Sequence, residues 1–72
     1  MLNETKNLMQ GLCEEIDRVK EIVKEYEAIP GVAGNFAAFF MKQDILIAEK
    51  ARNQGDTIEM IRCFKKLQEY GL

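Results

Sequence analysis

The sequence predicts an all-α protein of three helices. A long heptad-patterned N-terminal helix is followed by an antiparallel αα-hairpin, and the whole is expected to assemble as a homo-oligomer. Three observations predict this. Apolar residues recur three and four apart from Leu2 to Tyr26. Pro30, Gly31 and Gly34 then interrupt the chain before six consecutive apolar residues, Phe36 to Met41. A second interruption, Asn53-Gln54-Gly55-Asp56, carries the stop and start signals of a short helix–helix connection. The 72 residues make one domain, read as helix 3–27, turn 28–34, helix 35–53 and helix 56–70. A chain this short buries little core per residue and commonly needs a staple or other copies of itself.

The first helix can start from Asn3 or Thr5 as its cap, with Glu4 near the positive end of the helix dipole. Positions 2, 5, 9, 12, 16, 19, 23 and 26 form an a/d seam broken only by Thr5, and Leu8 and Ile22 widen it. Charged residues cover the other faces, and Glu14–Arg18 has the spacing of a favourable i,i+4 pair. The seam fits two uses. It can pack onto the protein's own other helices, or it can meet the same helix of another copy through Met9, Leu12, Ile16, Val19, Val23 and Tyr26.

Pro30 ends this helix, because the residue before a proline is pushed out of the helical region. Ile29-Pro30-Gly31 suits a turn in which Gly31 takes positive φ. Gly34 and Asn35 are placed to cap the second helix. The G-x-x-G spacing of Gly31 and Gly34 fits a tight interhelical turn. It equally lets a ligand approach the backbone at a helix N-terminus, where anions are favoured.

On the second helix, Phe36, Ala37, Phe40, Met41, Ile45, Ile47, Ala48 and Ala51 form a broad apolar face. Asp44 falls inside it. A buried carboxylate is costly unless bonded, so Asp44 either ties down a neighbouring segment or serves a site. Phe39 and Leu46 lie on the opposite side, seven residues apart, flanked by Lys42, Gln43 and Lys50. That pair suits an oligomer contact, or a surface that stacks a base beside a lysine. Gly55 closes the helix. Asp56 caps the third, with Glu59 in capping-box spacing. Met60, Ile61, Cys63, Phe64, Leu67 and Tyr70 make the apolar face of the third helix, and Arg62, Lys65, Lys66 and Glu69 point away.

Composition narrows the function. The chain has no histidine and no serine, so no serine–histidine triad and no histidine-ligated metal site can form. Thr5, Thr57, Cys13 and Cys63 have no recognisable base beside them, and an enzyme is not expected; nor is a cofactor. Cys13 and Cys63 lie on apolar helix faces, where a free cysteine acts as a small hydrophobe. A net charge of -2 argues against DNA or RNA binding. No apolar run reaches the roughly 18 residues that span a bilayer. The polar start M-L-N-E-T-K is not a signal peptide, and a cytoplasmic protein is expected.

Ile29-Pro30 through Phe36-Ala37, then Met41, Ile45, Ala48, Gly55-Asp56, Met60 and Leu67, form a recurrent pattern. In it the chain resembles small accessory proteins of tailed bacteriophages and prophages. There a long N-terminal helix meets an I-P-x-x-x-G-x-F-A-like turn and an A-E-x-A…S/N-x-G-D hairpin. The resemblance implies a viral protein, in the host cytoplasm, that counters a host defence. Among such proteins are sponges, small oligomers that sequester a cyclic-nucleotide signal without cleaving it. No ligand residues are carried over from them. In this chain Gly31, Gly34, Asn35, Phe36, Phe39, Phe40, Lys42 and Lys50 supply aromatic faces and cations near a small-residue turn. The expected function is therefore sequestration of a cyclic nucleotide by a helical oligomer. The alternative is an interaction module that inhibits or adapts a host or phage protein through the heptad helix.

Overall fold

The structure is a computed structural model that describes residues 4–71, with side chains described from residue 7 onward. Leu2, the Asn3 cap and the Thr5 side chain lie outside the described residues. Within them the chain is all-helical: α1 (Glu4–Glu27), α2 (Val32–Gln54) and α3 (Thr57–Gln68). No described helix is long and apolar enough to cross a membrane.

The helices run up, down and up, each touching the other two. Ion pairs Lys20–Glu49 and Glu27–Lys42 lace α1 to an antiparallel α2. Gly55, with φ 67°, closes α2, and the Asp56 carboxylate accepts the Glu59 N–H at 3.1 Å. The expected capping box is half formed, because the Glu59 side chain turns to Arg62 instead.

The heptad seam is spent inside the chain. Leu12, Ile16 and Val19 are at most 1% exposed and Val23 is buried, while Met9 and Tyr26 pack partly buried against the same cluster. Leu12, Ile16, Val19 and Val23 therefore have almost no surface left for a second copy, contrary to their expected place at an oligomer interface, while Met9 and Tyr26 keep part of theirs. The physical reason is that α2 and α3 both dock on α1, and the hairpin needs a seam this wide to cover its own apolar faces. Arg18 is also re-aimed. Its Nη2 donates to the Leu67 carbonyl at 2.8 Å and it pairs with Glu15, so the expected Glu14 partnership is not made. Glu14 accepts from Gln10. Arg18 thus caps the end of α3, and that tertiary bond outweighs a local i,i+4 pair.

The start of α2 differs from the expected Asn35. The helix begins at Val32, with Gly31 as its N-cap at φ 104°, ψ 177°. Neither Gly34 nor Asn35 caps it. Gly34 is buried in the first turn, where an added Cβ would stand 2.5 Å from the Tyr26 carbonyl oxygen. This absence of a side chain lets α2 seat directly on the end of α1.

That close approach decides which face of α2 turns inward. Gly34, Ala38, Met41, Ile45, Ala48 and Ala51 are buried. Phe36, Phe40 and Ile47, expected in the core, are 60%, 59% and 51% exposed. Small residues permit a short interaxial distance and phenylalanines do not, so the bulky side chains lie outside. On α3, Met60, Cys63 and Leu67 are buried as expected, with Phe64 partly so, but Ile61 is exposed; the helix ends at Gln68, so the half-buried Tyr70 follows it instead of belonging to it. Arg62, Lys65, Lys66 and Glu69 are exposed.

Candidate functional site

The predicted ligand residues do not gather into one site. Gly31 is exposed at the start of α2. Gly34 has its open side filled by the chain's own backbone, so no ligand can use it. Asn35, Phe36 and Phe39 line a shallow groove of about 300 Å³ with Val32. Phe40 stands edge-on to Phe39, with ring centroids 5.6 Å apart. Lys42 lies on a different flank. It pairs with Glu27 and lines a groove of about 440 Å³ together with Lys20, Lys24, Leu46 and Glu49. Lys50 is 14 residues beyond Phe36, a separation of roughly 21 Å at 1.5 Å per residue. Lys50 therefore stands far from the Phe36 end of the groove, whereas Lys42, one helical turn after Phe39, is a neighbour already engaged by Glu27.

Asp44 proves to be tied down by structure. Its carboxylate accepts the Tyr70 hydroxyl at 2.5 Å and so fastens the chain after α3 to the middle of α2. Burial first, and then this carboxylate, push the Tyr70 hydroxyl up to about 12. Cys63 is buried, and burial together with nearby Glu59 and Asp44 raises its thiol, so the reactive thiolate is disfavoured. Cys13 is half-buried with an Arg52 nitrogen 3.8 Å from its sulfur. Both cysteines are free.

What the residues do bring together is a surface. Phe39 and Leu46 are 54% and 59% exposed. On a 3.6-residue helix they share one face with Val32, Phe36, Gln43 and Lys50, all exposed, with Phe40 and Ile47 alongside. Positions 32, 36, 39, 43, 46 and 50 are four and three apart, a second heptad seam on the side of α2 opposite the buried one. The sequence places Phe39 and Leu46 on this side with Gln43 and Lys50 beside them, but Phe36, Phe40 and Ile47, expected on the inner face, join them here. The signal was available: the spacing test applied to α1 finds this seam when applied to α2. The exposed parts of three phenylalanines alone amount to roughly 350 Å², comparable with the whole largest apolar patch of a typical monomer.

No family model matches the chain, and no curated protein or solved structure shows significant similarity to it.

Proposed function

We propose that this chain is a non-enzymatic helical binding module whose working surface is the outer face of α2. The observation that supports it is the heptad stripe itself. Six large apolar side chains, Val32, Phe36, Phe39, Phe40, Leu46 and Ile47, are each at least half exposed on one side of one helix. Leaving such a stripe in water is unfavourable at about 25 cal/mol per Å², and a partner helix relieves it by laying an apolar face along it. α1 and α3 then serve as the scaffold that holds the stripe rigid. The module reading expected from the sequence is kept, with its contact surface moved from α1 to α2. In the viral setting that the resemblance implies, such a module acts by occupying a helix of a host or phage protein, or of another copy of itself.

Sequestration of a nucleotide draws less support, because Lys42 is held by Glu27 and Lys50 is remote from the aromatic groove. A photo-crosslinking residue at position 39, in cells that make the protein, tests the choice. Adducts at position 39 but not at exposed Asp17 are expected. Equal labelling at the two positions overturns the module reading. A nucleotide-sized mass retained by the native protein, unaffected by Leu46→Glu, would favour sequestration instead.

A further inference from the structure

We infer that the occupant of this stripe is a second copy of the same chain, packed α2 against α2, antiparallel, about a twofold axis that passes beside Gln43. The inference rests on the proposal that the outer face of α2 is a binding surface, and adds its partner and register.

The two halves of the stripe differ in kind. The N-terminal half, Val32, Phe36, Phe39 and Phe40, is aromatic and uncharged. The C-terminal half, Leu46, Ile47 and Lys50, is aliphatic and ends in a lysine that makes no ion pair among the described residues. Gln43 separates them. A twofold contact is self-complementary, so each residue meets its own register mate twice. Placing Gln43 opposite itself puts Phe40 on Leu46, Phe39 on Ile47, Phe36 on Lys50 and Val32 on Gln54. Each aromatic ring then meets an aliphatic chain or an ammonium, and Lys50 over Phe36 is a cation–π pairing. The Gln43 amide has both donors and an acceptor, so two copies can bond to each other across the axis. A parallel pair in the same seam would instead set Lys50 against Lys50 and align the helix dipoles unfavourably.

Area points the same way. The phenylalanines leave roughly 350 Å² uncovered. Val32, Leu46 and Ile47, between 51% and 67% exposed, bring the face towards the roughly 800 Å² per partner of a standard interface. The stripe's own α2 residues include no acid, and Glu59 of α3 is the acidic side chain that shares a groove with Ile47 and Lys50.

Sedimentation of the full chain tests the assembly, and engineered cysteines test the register. Wild type should be a dimer of the 8.3 kDa chain. Phe39→Glu places a charge in both halves of the contact and should weaken the dimer about a hundredfold or more with helix content unchanged. Ile58→Glu, on exposed α3 surface, should leave it intact. With Cys13 and Cys63 replaced by alanine, Gln43→Cys should link to itself on mild oxidation. Phe36→Cys should link to Lys50→Cys but not to itself. A Phe36→Cys self-link, or a dimer indifferent to Phe39→Glu, overturns the inference. A monomeric wild type overturns it as well. If position 39 then still crosslinks to a protein of another mass, the binding surface stands and only its occupant was wrong. If it crosslinks to nothing, the surface reading falls too.

Discussion

The Tyr70 hydroxyl donates to the Asp44 carboxylate at 2.5 Å, joining the residues after α3 to the centre of α2. This bond accounts for a carboxylate on the inner side of an apolar helix. It also keeps the C-terminal end of the chain from fraying away from the hairpin.

Tyr70→Phe should therefore cost about 1 kcal/mol, since it leaves a half-buried acceptor without its donor. The pH dependence carries a second signature. The folded hydroxyl titrates near 12 against an ordinary value of 10.0. The folded state thus binds the proton more tightly than the unfolded one, and this contribution is complete below pH 10. It is lost as pH rises from 10 towards 12. Thermal melts across that window should show the wild type losing an increment of stability that Tyr70→Phe never had. Parallel curves for the two proteins would remove this role for the bond.

Gly34→Ala should destabilise the fold by about 1–3 kcal/mol, because its Cβ meets backbone rather than a movable side chain. Gly31→Ala should cost a similar amount by a different route. Nothing crowds position 31, but φ 104° and ψ 177° lie in a region closed to other residues. Urea titration of each variant gives the two costs. A neutral Gly34→Ala would mean that α2 can lift off Tyr26 freely.

Val19→Asp should unfold the single chain, not merely an assembly. Val19 has no exposed surface, and an unpaired buried charge costs several kcal/mol, comparable with the whole stability of a small domain. Leu46→Ala, on the outer stripe, should change the stability of the isolated fold by less than about 1 kcal/mol. Circular dichroism at low protein concentration separates the cases. A folded Val19→Asp monomer would show that the core is not where α1 places it.

Arg18→Met keeps the aliphatic stem and removes the guanidinium that caps the end of α3. It should cost about 1 kcal/mol and speed amide exchange in the last turn of α3 more than elsewhere. Uniform exchange across the three helices would instead mark a global effect.

The three helices, their breaks at Pro30 and Gly55 and the Asp56 cap were legible in the sequence, because spacing and cap chemistry are local. The α1 seam was legible as a seam, but its partner was not. A heptad pattern states that a face wants covering and says nothing of whether the cover is in the same chain. Of the candidate site, Phe39 and Leu46 with Gln43 and Lys50 beside them were legible, while Phe36, Phe40 and Ile47 were read as core. Gly34 looked like ligand space because the sequence does not show that the Tyr26 carbonyl occupies it.

What the sequence determined by itself, then, was the helices and the presence of apolar residues on more than one side of α2. Which of those sides faces inward was decided by the tertiary structure. The choice turned on Gly34, Ala38 and Ala48, which let α2 approach α1 closely only if the phenylalanines turn outward. Dispersion and apolar burial both reward the shorter interhelical distance, and no residue-by-residue property of α2 contains that distance.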